Sequence, residues 1–131
     1  MFTIHRSEHF TIQHYQASGY VRLVRSAIVF ASLEHANDAL KACGEALERL
    51  DASQLGLLLD WRLGPFSIDA RLHQLVIETT DAFAVRFVRC AVLIVSPVGK
   101  LQLDRVVRAH SSIAPVIFNE EAAAVEYVTS R

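Results

Sequence analysis

Six histidines, His5, His9, His14, His35, His73 and His110, are the side chains here best suited to holding a metal or moving a proton near neutral pH. Their spacing supplies neither an HExxH pair nor a compact Cys/His cluster, so no metal is assigned and each is read as structural. His5 and His14 fall on the solvent face or edge of early strands, His35 and His73 on helix surfaces. A second set is Asp60, Arg62, His73 and Asp104. Gathered at the carboxyl ends of adjacent strands, an acid would orient the imidazole and the guanidinium would stabilise a forming anion. No GxSxG elbow, glycine-rich dinucleotide loop or Cys-His constellation accompanies them, so the reading is non-enzymatic, with no cofactor. Ser96-Pro97-Val98-Gly99-Lys100-Leu101 contains Gly-Lys after an apolar strand. It lacks the glycine spacing of a phosphate loop, and Leu101 stands where a hydroxyl would address magnesium, so it is read as a strand-ending turn.

Eleven of the 13 basic residues are arginines, among them the pairs Arg22/Arg25, Arg86/Arg89 and Arg105/Arg108. Solvation and surface ion pairs account for these. Arg62 is different in its neighbours: Trp61, Leu63 and Phe66 would join it in an apolar and cationic anchor for a protein partner.

The elements that must carry these residues follow from periodicity. Phe2 to Ser7, Phe10 to Tyr15 and Tyr20 to Phe30 read as strands with one face partly wet, Gly19 turning the chain before the third. Ser32 caps a helix to Leu50, on which Leu33, Ala36, Leu40, Cys43, Leu47 and Leu50 recur at helical spacing. Leu55 to Asp60 is apolar on both alternating faces, as in a strand covered on two sides. Ser67 or Asp69 then caps a helix containing Leu72, Leu75, Val76, Thr79 and Phe83. Cys90 to Val95 repeats the interior-strand pattern, a helix ending by Pro115 follows, and Val116 to Phe118 is a last short strand. Asn119 caps a final helix with Glu120 and Glu121 near its positive end. The order predicts an α/β fold in residues 1–131: one domain, a single mixed β-sheet, helices packed mainly on one face.

Composition agrees. The chain has 131 residues, is 52% hydrophobic and carries a formal charge of -1, which suits a packed core and gives no bulk attraction to nucleic acid. The polar start and short apolar runs indicate neither export nor stable membrane insertion, and two isolated cysteines, Cys43 and Cys90, suit a reduced, cytoplasmic setting.

In element order, in Leu55-Gly56-Leu57-Leu58-Leu59-Asp60, in Arg89-Cys90-Ala91-Val92-Leu93-Ile94-Val95 and in Val116-Ile117-Phe118-Asn119-Glu120-Glu121-Ala122-Ala123, the chain resembles the STAS-like superfamily (sulfate transporter and anti-sigma-factor antagonist), in its divergent soluble antagonist-like branch. The resemblance implies a small non-enzymatic module that binds another protein, sometimes switched by phosphorylation, and in some relatives a small apolar ligand. Asp60 matches the strand-end acid of the antagonist branch, but Trp61 occupies the phosphoacceptor position. Ser67, placed near a helix N-terminus, is then the possible phosphoacceptor.

The leading expectation is therefore a regulatory or scaffolding module that meets a protein partner through Asp60, Trp61, Arg62 and Phe66. A homodimer through an uncovered strand or helical face is a further expectation. Carriage or sensing of a small apolar ligand is the first alternative, and an enzyme using converging Asp and His the second.

Overall fold

The computed structural model describes residues 1–65, 67 and 69–130. Its strands are β1 (Phe2–Arg6), β2 (Phe10–Tyr15), β3 (Tyr20–Arg25), β4 (Gly56–Asp60), β5 (Cys90–Leu93) and β6 (Val116–Phe118). Its α-helices are α1 (Leu33–Glu48), α2 (Ala70–Ala84), α3 (Pro97–His110) and α4 (Glu121–Thr129). One mixed sheet holds the strands, and their spatial order is the chain order, β1 to β6. The first three pair antiparallel, whereas β3 to β6 are parallel. Gly19, with φ 78°, makes the turn from β2 to β3 in the left-handed region that favours glycine.

Each parallel step needs a crossover helix, and crossovers of one hand that always advance in the same direction put their helices on one side of the sheet. Residues of α1, α2 and α3 accordingly share one core with Phe10, Ile12, Val21, Leu23, Leu57, Leu59, Val92 and Ile117. α4 follows the last strand, is not a crossover, and covers the other face, where Ala124 and Val128 pack with Tyr20, Leu58, Ala91 and Leu93. Leu57, Leu58 and Leu59 therefore alternate between two cores and are all buried, as their unbroken apolar run predicts. Each such leucine contributes about 1.5–3 kcal/mol by leaving water.

Several element boundaries differ from the sequence expectation. β3 stops at Arg25 rather than Phe30, and it is buried on both sides rather than half wet. Its α4 side is covered because Tyr20 stacks on Tyr15 at 4.7 Å and Arg22 enters an ion cluster. Ser32 caps α1 as expected, its Oγ accepting from the His35 N–H at 3.0 Å. Asp69 rather than Ser67 caps α2, accepting from the Arg71 N–H at 2.9 Å, and Ser67 Oγ instead accepts from the Asp69 N–H at 3.1 Å. Ser96 to Leu101 is a helix start, not a strand-ending turn. Ser96 Oγ accepts from the Gly99 N–H, and Pro97, which has no N–H to satisfy, opens α3. α3 ends at His110, well before Pro115, and Glu120 rather than Asn119 is the N-cap of α4.

The far end of α3 is tied to α2 by Asp81. Its buried carboxylate accepts from Ser111 Oγ at 2.9 Å and from the Ser112 N–H at 2.8 Å. No helix among the described residues is long and apolar enough to cross a membrane.

Candidate functional site

Arg22 and Arg25 lie three residues apart on β3, and an odd spacing on a strand sends side chains to opposite faces. Both are buried, each 7% exposed, which corrects their reading as solvated surface. Their electrostatic settings are opposite.

Arg22 points to the α4 side. Its NH1 donates to Asp60 Oδ2 at 3.4 Å and its NH2 to Glu121 Oε1 at 2.9 Å. Arg62 completes the cluster: Nε donates to Asp60 Oδ1 at 2.9 Å, NH2 to Oδ2 at 2.7 Å, and NH1 to Glu121 Oε2 at 3.0 Å. Two cations and two carboxylates thus close on one another. Burial works against the charge of Arg22, but bonds to Tyr20 and Glu121 outweigh it and its pKa is raised. Arg62 is held charged by Asp60 above all. The hydrogen bond from Arg22, with its charge, pulls the Glu121 pKa below the ordinary range.

The residues expected to meet a partner are placed as follows. Asp60 is buried and spends its carboxylate on the two arginines. Arg62 is partly exposed, but its fork is occupied, so an acidic partner would have to displace Glu121. Trp61 is half-buried and packs toward Phe10, ring centroids 6.4 Å apart. Phe66 lies outside the described residues. Ser67 sits two residues before the α2 cap, where Asp69 already engages the helix N–H group. The set Asp60, Arg62, His73 and Asp104 does not gather as one site. Asp60 and Arg62 pair with each other, while Asp104 pairs with Arg108 along α3 at 3.0 Å.

Arg25 points to the other face, into a cavity of about 580 Å³ between α2, α3 and the carboxyl ends of the strands. Trp61, Val76, Ile77, Ile94, Leu103 and Val106 supply much of its apolar wall. Arg62, Ser67, His73, Ser96 and Gln102 add polar groups, and no Asp or Glu lines it among the described residues. Arg25 NH1 donates to the main-chain oxygens of His9 (3.4 Å) and Ser26 (2.9 Å), and the guanidinium lies over the Phe30 and Phe10 rings. Among the described residues no carboxylate reaches it, and burial alone lowers its pKa. Exposed Val29 and Val95 line the cavity, and exposed Leu63, Val98 and Leu101 are next in sequence to residues that do.

Trp61 and Arg62, expected from the sequence as contacts for a protein partner, line the cavity, and so does Arg25, which the sequence reading left as solvated surface. The available signal was an arginine at the third residue's distance from Arg22 in a strand whose neighbours are Leu23 and Val24.

One further cluster has no signature in sequence spacing. Glu8, His9 and His35 present ligand atoms within 4.8 Å of one another. His9 is buried, its Nδ1 3.3 Å from the Ile28 carbonyl oxygen and its Nε2 3.2 Å from Glu8 Oε1. The latter contact is an ion-pair distance without hydrogen-bond geometry. Of the described histidines these two are the ones positioned to share a cation. Cys43 and Cys90 are free thiols, both pushed up to about 12 by burial.

The architecture defines a mixed-sheet α/β protein with a cavity at the carboxyl ends of its parallel strands. Compared with known proteins, the chain matches no family model, no curated protein and no solved structure.

Proposed function

We propose that this chain is a non-enzymatic binding module, a carrier or sensor of a small and mainly apolar molecule held between α2 and α3. The observation that carries the reading is the cavity of about 580 Å³. That volume falls within the roughly 300–1,000 Å³ usual for small-molecule sites, and its wall is mostly aliphatic and aromatic with a few placed polar groups. The reading also draws on the apolar-ligand branch of the STAS-like resemblance, while the order of strands and helices itself is a general α/β one. Titration with the neutral fluorophore phenylnaphthylamine tests it. Saturable one-to-one binding is the expected result, lost in a folded Val106→Trp variant that fills the cavity. Absence of saturable binding, or binding untouched by the filling variant, would overturn it.

Recognition of a protein partner is the second reading, favoured by the exposed apolar side chains Leu63, Val95, Val98 and Leu101. It moves the expected contact from the occupied fork of Arg62 toward the apolar groups beside it. Leu63→Asp should abolish co-purification of a specific partner; recovery equal to that of the unaltered protein would count against this surface.

A further inference from the structure

We infer that the ligand of this cavity is an apolar monoanion, with a carboxylate head seated on Arg25 and an apolar body against Val76, Ile77, Ile94, Leu103 and Val106. The inference rests on the apolar-ligand reading above and specifies its chemistry. The two arginines of β3 are unequally balanced. Arg22 is buried and met by two carboxylates, whereas Arg25 is equally buried and met by none among the described residues. An ion held away from water needs a counter-charge or a full set of hydrogen bonds, and a lone buried charge is costly.

Arg25 has only part of such a set. NH1 is taken up by the His9 and Ser26 carbonyls and by Ser26 Oγ, while Nε and NH2 make no hydrogen bond to a described residue. Those two donors form the parallel edge that matches a carboxylate with two N–H···O bonds. Phe30 at 4.2 Å and Phe10 at 5.5 Å pack on the guanidinium and hold its plane without neutralising it.

The surroundings favour the same sign. Arg62 lines the cavity too, but Asp60 and Glu121 already balance its charge; the favourable sign comes from Ser96 and Gly99, which bring the positive end of the 14-residue helix α3 to the wall. A dianion or a polar sugar phosphate fits less well, because most of the wall offers no hydrogen bonds. One negative group on an apolar body satisfies both the cation and the wall.

The test compares head groups on one body, with the unaltered protein, by calorimetric titration at neutral pH and below micelle-forming concentrations. The probes are decanoate, decanol and decylamine, with naphthoate and naphthol as an aromatic pair. The expected result is binding of at least one acid about tenfold or more tighter than its alcohol, with decylamine weakest. Arg25→Met should bring the acid down to the affinity of the alcohol and leave the alcohol within about twofold, and Arg25→Lys should retain part of the preference. Circular dichroism and thermal melting establish that each variant is folded, and the head-group comparison stands without them. Equal binding of acid and alcohol overturns the anionic head while leaving the apolar cavity reading intact. An acid preference that survives in folded Arg25→Met overturns the assignment to Arg25. Binding of none of the probes overturns both readings.

Discussion

The guanidinium carbon of Arg25 lies 4.2 Å from the centroid of the Phe30 ring, so the first ring beyond the end of β3 packs over the buried cation at that strand's end. The contact contributes on the order of 1 kcal/mol and fixes an orientation, but it supplies no negative charge. Position and incomplete neutralisation together make this arginine a recognition group.

Trp61 is the one tryptophan in the chain and lines the cavity, so it reports occupancy directly. Excess decanoate is expected to change its emission saturably, with the same midpoint as calorimetry. In Val106→Trp a second indole would confuse the signal, so Val106→Phe is the better filling control for this measurement. An emission change that rises linearly without saturation would place the probe elsewhere.

Acid should loosen the α4 side through Glu121. Its folded pKa is depressed by Arg22 and Arg62, so its contribution is fully present above the ordinary glutamate pKa and is lost as pH falls through the folded value. The carboxylate is half exposed, which limits the contribution to about 1 kcal/mol or less. Urea midpoints of Glu121→Gln should lie below those of the unaltered protein at pH 6 and converge with them only as pH falls below the ordinary glutamate range, through the depressed folded value. A gap that stays constant across this range would show that the ion pairs are not its cause.

Cys43 and Cys90 should be nearly inert in the folded chain. With thiols pushed up to about 12, alkylation at neutral pH should run about a thousandfold slower than for a free thiol. Labelling should accelerate across the urea transition. Rapid stoichiometric labelling in native buffer would contradict the packing described for α1 and β5.

At Gly56 the sheet lies directly against the last turns of α4. A Cβ there would run into the carbonyl oxygen of Val128, backbone that cannot rotate aside. Gly56→Ala is expected to cost about 1–3 kcal/mol in a urea melt. An unchanged melt would mean that the last turn of α4 is free to lift.

Much of the scaffold was legible because its signals are local. The two-sided apolar run at Leu57 to Leu59 placed β4, and Ser32 with the leucine and alanine spacing after it placed α1. The α3 start was misread because Ser-Pro after a strand suits a turn as well as an N-cap with proline behind it. The site was less legible. Arg22 meets Glu121 across 99 positions of sequence, and nothing near Arg25 in sequence says that it lacks such a partner. The cavity is a gap between two helices, and a gap has no residue of its own to read.

Strand order equal to chain order also bears on synthesis. A sheet numbered in sequence can grow at one edge as the chain leaves the ribosome, and no strand has to slip between two already paired. The helix covering the opposite face follows all six strands, at Glu121 to Thr129. Until it emerges, Leu58, Ala91 and Leu93 lack their cover. The nascent chain therefore displays an apolar face to chaperones until α4 has emerged, and truncation before α4 would make that exposure permanent.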